Sequence, residues 1–377
     1  MRIGINLLYL LPGVVGGTET YAAGLLYGLA AEKDKRDEFF VFVNKECENW
    51  PIPASSNFVR VVCPVQAISR SKRYLYEQMQ LPRLLDQYKI DVVHSLGYVA
   101  PLYPPCRSVL TIPDVNYVVL KQTLPFFKRL MASFFSRYAA KKCDHIITIS
   151  NFSKSEIIRY LKIEPKKITV THLSYRKGRY NENCNEWGAL EEKYGIKKPY
   201  IAAFGGGSLH KNIPTLIQAY DLVKDKINHN LLLIGHLPLN VNLSSDKISK
   251  ELMSRIFTTG YVPEEHILPL LKNADLYILP SLYEGFGLPV LEAQQAGVPV
   301  LCSNAGSIPE IGGQGALYFD PKKTHELAAL ILNTLRDSDQ RAQLVNKGTE
   351  NLAKYSWENT ARETMQVYYN NSFFGNR

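Results

Sequence analysis

The stretch Pro280-Ser-Leu-Tyr-Glu284-Gly-Phe-Gly-Leu-Pro-Val-Leu-Glu292-Ala293 leaves an apolar run that ends at Leu279 and enters an amphipathic run from Leu288 onward. Such a pattern predicts a strand, a glycine-rich turn and then a helix. Gly285 and Gly287 carry no Cβ, so their backbone can approach a ligand closely. The N–H groups at the positive end of the following helix suit a phosphate. Glu284 stands before that helix and Glu292 about one turn inside it, so both can face one bound molecule.

The same alternation runs outward in both directions. Strands are predicted at 200–204, 231–234, 256–259, 276–279, 300–302 and 317–319. Helices are predicted between them near 213–223, 263–272, 288–296 and 324–335. An earlier series predicts strands at 3–8, 39–43, 58–62, 92–94, 108–112, 145–149 and 168–171, with helices at 18–31, 74–88, 126–142 and 152–161. Repeated strand–helix–strand units mean parallel sheets covered on both faces, an α/β fold of two Rossmann-like doubly wound domains. The polar segment 174–188 lacks a hydrophobic period and reads as the linker. The expected division is 1–178, 179–358 and a closing helix at 359–377. Ligands of such sheets bind beyond the carboxyl ends of the strands, so a cleft shared by the two domains is the expected site.

Bulk composition narrows the class. A chain of 377 residues with 46% hydrophobic and 21% charged residues is globular and long enough for two or three domains. Six dispersed cysteines show no Cys-x-x-Cys pair and no metal-ligand spacing, which fits reduced thiols in a cytoplasmic protein and predicts no metal site. The amino-terminal run is too short for a signal peptide or a membrane span. The net charge of +9 is uneven. Residues 1–180 hold 26 Lys/Arg against 14 Asp/Glu, and the remainder holds 18 against 21. The excess lies within 51–180, which predicts an anionic partner for the first domain.

Glu284 and Glu292, with seven residues between them, resemble the paired-glutamate signature of retaining, nucleotide-sugar-dependent glycosyltransferases of the GT-B fold, family 4 in particular. Gly16-Gly-Thr-Glu19 resembles the family's amino-terminal glycine loop. Phe204-Gly-Gly-Gly-Ser-Leu-His-Lys211 resembles the loop after the first strand of its nucleotide domain. Thr259-Gly-Tyr-Val-Pro263, Ala296-Gly-Val-Pro-Val300 and Ser356-Trp-Glu-Asn-Thr-Ala361 are similar to further family segments, the last opening a helix that crosses back onto the first domain.

The resemblance implies transfer of a hexose from a nucleoside-diphosphate sugar to a hydroxyl of a lipid-linked or surface-glycan acceptor. The donor is a substrate, so no cofactor is implied. Glu284 would hold sugar hydroxyls, Glu292 the ribose hydroxyls, and Lys211 the leaving diphosphate, with Tyr261 and Val262 beside the base. Gly16, Gly17, Gly206, Ser208, Gly285, Phe286, Gly287 and Leu288 would complete the donor site. A lysine ammonium suits phosphate charge, and a carboxylate suits hydroxyl groups.

One departure stands out. Where the family commonly has His-Asp after a first-domain strand, this chain has Pro113-Asp114. Proline has no side chain that transfers a proton. Asp114 is the remaining candidate for orienting the acceptor, and Asn116, His94 and His172 are lesser ones. The departing phosphate can itself take the acceptor's proton. Two alternatives stay open: an epimerase of the same fold, and a non-catalytic subunit that binds sugar nucleotides. Residues 124–142 set aromatics at helical spacing among Lys128, Arg129, Arg137, Lys141 and Lys142. That pattern fits either a core-facing helix with a basic outer face or one lying on an anionic membrane, on its inner face. No nucleic-acid motif accompanies the charge, so no nucleic-acid partner is expected.

Overall fold

The structure is a computed structural model that describes residues 1–32, 36–120, 126–175, 187–237 and 249–373, with backbone alone at 126–129, 131 and 132. The chain divides into two units, Met1–Ser174 with Tyr355–Arg377, and Tyr175–Lys354.

In the first unit β1 (Arg2–Asn6), β2 (Glu38–Val43), β3 (Phe58–Val62), β4 (Val92–Ser95), β5 (Arg107–Thr111), β6 (His145–Thr148) and β7 (Ile168–Val170) form a parallel sheet ordered β3-β2-β1-β4-β5-β6-β7. Its helices are α1 (Gly17–Ala31), α2 (Arg70–Met79), α3 (Leu81–Gln87), α4 (Asn116–Val119), α5 (Phe126–Lys142) and α6 (Asn151–Glu156). The second unit opens with α7 (Trp187–Tyr194). Its strands β8 (Tyr200–Phe204), β9 (Asn230–Ile234), β10 (Ile256–Thr258), β11 (Leu276–Leu279), β12 (Val300–Ser303) and β13 (Leu317–Phe319) form a parallel sheet ordered β10-β9-β8-β11-β12-β13. Between and after them come α8 (Ile213–Asp221), α9 (Lys250–Ser254), α10 (Glu264–Lys272), α11 (Leu288–Gln295), α12 (Ile308–Gly312), α13 (Thr324–Arg336) and α14 (Ser338–Leu352). The chain then returns to the first unit as α15 (Trp357–Tyr369).

Both sheets are doubly wound and Rossmann-like. The inner strands are buried on both faces, which is why runs such as Phe39–Val43 and Leu231–Ile234 are apolar without alternation. Each sheet has one point where the chain reverses its direction of growth, between β1 and β4 in the first and between β8 and β11 in the second. Ligands of open α/β sheets bind just beyond the carboxyl ends of such strand pairs.

Several predicted elements differ from those observed. The single helix expected over 74–88 is two, α2 and α3, separated at Gln80. Pro82 sits in the first turn of α3, where its missing N–H is harmless, and there it starts a new helix. The helix expected over 152–161 is α6 followed by a π-helical turn over Ile157–Leu161. Of the expected linker, 176–186 lie outside the described residues, and Trp187 and Gly188 already belong to α7. The helix α14 was not anticipated. Its buried positions are Leu344, Gly348 and Asn351, too mixed a set to show an apolar stripe.

Two glycines on α1 admit α15. A Cβ at Gly24 would lie 2.2 Å from the Trp357 ring, and one at Gly28 would lie 2.2 Å from the Trp357 carbonyl oxygen. His94 on β4 is not at a ligand-facing edge. It is fully buried, with Nδ1 2.6 Å from the Tyr368 hydroxyl and Nε2 2.7 Å from Thr111 Oγ1. Both ring nitrogens are thus used inside the fold. Burial pushes the His94 pKa down to about 3, from 6.5. A depressed pKa gives stability that is full above 6.5 and is lost as pH falls toward 3. Equilibrium urea unfolding at pH 7 and pH 4 is expected to show a loss of about 3 kcal/mol from this group at pH 4. An unchanged unfolding midpoint between those pH values contradicts the assignment.

Candidate functional site

The site grows from two loops at the second sheet's reversal point. After β8 the chain runs through Gly205–Gly207 into a 3₁₀ turn over Leu209–Lys211, then bends at Asn212, whose φ is 55°. Asn212 Nδ2 donates to the carbonyls of Pro280 (3.1 Å) and Pro321 (2.9 Å), while the Leu282 N–H donates to the His210 carbonyl at 2.7 Å. These bonds fasten the loop after β8 to the loop after β11. Space is open where a Cβ would stand at Gly206 and at Gly207, whereas a Cβ at Gly205 would meet the His236 carbonyl oxygen at 2.7 Å. Ser208 is exposed at the start of the 3₁₀ turn.

Fastening the loops brings Lys211 and Glu284 together. Lys211 Nζ donates to Glu284 Oε1 at 2.8 Å, and Ser281 Oγ donates to the same oxygen at 2.7 Å. The two side chains are 22% and 14% exposed, a pair largely withdrawn from water. Burial alone would raise the Glu284 carboxyl. The Lys211 charge and the hydrogen bonds from Lys211 and Ser281 outweigh it and hold Glu284 below its ordinary pKa, hence ionised.

Glu284 is propped from behind. Ser307 donates through its N–H to the Glu284 carbonyl at 3.2 Å and through Oγ to the carbonyls of Glu284 (2.9 Å) and Phe286 (2.6 Å). At Gly306, φ 64°, a Cβ would lie 2.6 Å from the Glu284 carbonyl oxygen, so only glycine permits this approach. Phe286 is buried, and Gly287, at φ 106°, caps the start of α11. Gly285 precedes Phe286 in the same turn, and Leu288 is the first residue of α11. Glu292 lies farther along α11, half-buried. The Tyr277 hydroxyl on β11 is buried; its pKa is raised by burial first and then by the charges of Glu292 and Glu284, which places it near both carboxylates. Tyr261 is 77% exposed, while Val262 packs against the second unit's core. Among the described residues, no group of three or more His, Cys, Asp or Glu could hold a metal ion.

The remaining predicted residues lie in the first unit. Gly16, φ 55°, caps α1, and Gly17 is its first residue. Nine residues, 7–15, lie between the end of β1 and Gly16. No atom comes within 4 Å of a Cβ at either glycine, so the turn's backbone is unobstructed. Glu19 is committed locally, accepting from the Gly13 N–H (2.8 Å) and from Trp50 Nε1 (3.0 Å). Asp114 accepts from the Tyr98 hydroxyl at 3.0 Å and from the Asn116 N–H at 3.2 Å. His172 sits beside the Tyr355 ring.

Ser281, Gly306, Ser307 and Tyr277 were absent from the sequence-based candidates. Ser307 and Gly306 follow β12 and reach Glu284 only through the fold, so no spacing could have announced them.

The architecture meets independent likenesses. Residues 189–351 match the family model described as glycosyl transferases group 1, and residues 15–173 match the one described as glycosyltransferase family 4. The O-antigen chain mannosyltransferase B of Escherichia coli is 30% identical over 305 residues, covering 78% of each chain. Among solved structures, WaaG, a glycosyltransferase involved in lipopolysaccharide biosynthesis, shares the fold at TM-score 0.71 and 16% identity. That match covers 98% of this chain and 100% of WaaG. Anabaena HepE, solved in complex with UDP and glucose, matches with the same TM-score, identity and coverage.

Proposed function

We propose that this chain, which belongs to the GT-B glycosyltransferases, moves a mannosyl group from a nucleoside-diphosphate sugar to a hydroxyl of a lipid-linked or growing surface glycan, with retention of anomeric configuration. The observation that carries this reading is the Lys211–Glu284 pair beyond the ends of β8 and β11. The ammonium can turn from Glu284 to the diphosphate as negative charge grows on the leaving group. Glu284, kept ionised, accepts hydrogen bonds from donor-sugar hydroxyls, and Glu292 accepts them from the ribose. Gly285, Gly287 and the start of α11 offer N–H groups to phosphate oxygens, and the exposed Tyr261 ring offers a face to the base.

Pro113 leaves no histidine to act as base, so the proton follows the leaving group. The acceptor oxygen bonds to the anomeric carbon on the face that the diphosphate departs. The carbon–oxygen bond to the diphosphate breaks, and a departing phosphate oxygen takes the hydroxyl proton. Asp114 orients the acceptor. The donor is consumed as a substrate, and no cofactor takes part.

The test is a panel of nucleoside-diphosphate hexoses with mannoside acceptors, the product's anomeric configuration being read by proton NMR. Transfer with retention supports the proposal. Inversion overturns the retaining mechanism, conversion of the donor without an acceptor points to an epimerase, and nucleotide binding without turnover points to a binding subunit.

The acceptor's carrier accounts for the basic surface. No helix among the described residues is long and apolar enough to cross a membrane. On α5, however, Leu130, Phe134 and Tyr138 recur every four residues and are exposed, Phe134 by 62%. Lys142 lies over the Tyr138 and Tyr103 rings at 5.9 and 5.2 Å. The Tyr74 and Phe135 rings, 5.5 Å apart, join α2 to this helix, and α2 adds exposed Leu75 and Met79. The segment 124–125 and the side chains of Phe126, Phe127, Lys128, Arg129 and Met131 lie outside the described residues. Apolar side chains ringed by cations favour an anionic leaflet, which supports a peripheral position on the cytoplasmic face. Co-sedimentation with vesicles holding 30% phosphatidylglycerol is expected to fall several-fold in Phe134→Ser, with transfer to a soluble acceptor unchanged. Binding indifferent to anionic lipid removes the membrane role.

A further inference from the structure

The reversal point of the first sheet holds a buried polar cluster that the chemistry above does not use. Asn6 ends β1 and Ser95 ends β4, and the two residues are register partners. Asn6 Nδ2 donates to Ser95 Oγ at 3.1 Å and to Glu77 Oε1 at 3.4 Å, while Asn6 Oδ1 accepts from the Leu8 N–H. Glu77 and Arg73 lie one turn apart on α2, 2% and 8% exposed. Glu77 Oε2 and Arg73 Nε are 3.8 Å apart, too far for a hydrogen bond, and each is buried without a hydrogen-bond partner. A charged pair taken from water and left incompletely bonded is costly, and buried polar atoms are rarely left so.

We infer that Arg73, Glu77, Asn6 and Ser95 form a binding site for a hydroxyl group of the glycan acceptor. The inference rests on the transferase reading above and assigns the acceptor a place in the first unit. A sugar hydroxyl donates one hydrogen bond and accepts others. Its oxygen, at about 2.8 Å from each orphaned atom, fits astride the 3.8 Å gap, donating to Glu77 Oε2 and accepting from Arg73 Nε–H. A lipid chain or a base edge offers no such group at one atom. The position is the one where open α/β sheets bind ligands, beyond the ends of the strands at the reversal point.

The pKa of Glu77 tells the same story. Burial lifts it to about 7, and the opposing contributions from Arg73 and Asn6 do not restore it. The carboxyl is under-bonded as it stands, and a donated hydroxyl hydrogen bond would stabilise its ionised form. Access requires α2 to yield. Its outer residues Leu75 and Met79 are exposed.

Two measurements test the site with methyl α-mannopyranoside and α-mannobiose as probes. In hydrogen–deuterium exchange on the full chain, the probes are expected to slow exchange over 70–79, an effect lost in Glu77→Gln. In kinetics, Glu77→Gln and Arg73→Gln are expected to raise the acceptor KM at least tenfold, with donor KM and donor hydrolysis within twofold of wild type. An unchanged acceptor KM in either folded variant, or exchange over 70–79 indifferent to saturating probe in the wild type, overturns the site and leaves the pair a structural brace. Donor hydrolysis separates this from the function itself: if the wild type processes no donor at all, the transferase reading fails. The exchange measurement still reports whether the site binds hydroxyls.

Discussion

Lys211→Ala is expected to lower transfer by about a thousandfold and to weaken the thermal shift produced by a nucleoside diphosphate. Removing one preorganised donor from a site of developing charge typically costs ~10²–10³ in turnover. Here the substitution does more, because Lys211 is also the counter-charge of Glu284. Without it, burial governs and the Glu284 pKa rises, so the carboxylate that should receive sugar hydroxyls becomes partly protonated. Stability also falls by about 2 kcal/mol, less than for a fully buried pair because both side chains keep some contact with water. Glu284→Gln separates the two roles. The amide leaves Lys211 free to meet the diphosphate, so the nucleotide shift should persist while turnover falls. Glu292→Ala should weaken the shift with Glu284 intact. Measured together, Lys211→Ala and Glu284→Gln should be strongly non-additive, as expected for residues that act as a unit. Equal nucleotide shifts in all variants and the wild type would falsify the site.

Gly28→Ala is expected to destabilise the first unit by about 2 kcal/mol, read as a lower urea midpoint. Intrinsic helix propensity predicts the reverse, since alanine is the better helix former by about 1 kcal/mol. Packing decides the sign. The new Cβ would stand 2.2 Å from the Trp357 carbonyl oxygen and 2.9 Å from Ala361 Cβ. The nearest obstacle is backbone, which no side-chain rotation can clear, so α15 must move away from α1. Overpacking of a close interface typically costs ~1–3 kcal/mol. Gly24→Ala meets the Trp357 indole instead, at 2.2 Å, and that ring is buried. A raised midpoint in Gly28→Ala would show that α15 is not held against α1 in solution.

Much of the fold was legible because both sheets are parallel and buried, so nearly every strand announces itself as an apolar run. Helices that depend on capping and on mixed surfaces were harder to see. The helix α14 begins where the Asp337 side chain accepts from the Gln340 N–H, and it buries a glycine and an asparagine, neither of which belongs to a hydrophobic stripe. The candidate site was legible where it follows the chain locally, as for Glu284, Gly287 and α11. It was not legible where distant loops meet. That Ser307 grips the backbone on both sides of Gly285 depends on β11 and β12 being neighbours. His94, a plausible catalytic group by type, is occupied on both nitrogens by Tyr368 and Thr111, partners 274 and 17 residues away. Spacing along the chain carries no trace of either contact.

The return of α15 to the first unit makes the second unit an insertion rather than a carboxyl-terminal appendage. The chain leaves one unit after Ser174 and re-enters it at Tyr355, so 175–354 is a cassette held at both ends. A truncation after Ser174 would therefore not release a whole first unit, because it would strip the α1 groove of Trp357. Exchange by recombination has two fixed crossover points near 174 and 355. A cassette traded between relatives at those points would leave the first unit whole, with α15 still joined to α1. Chimaeras cut elsewhere would separate α15 from the glycines shaped to receive it.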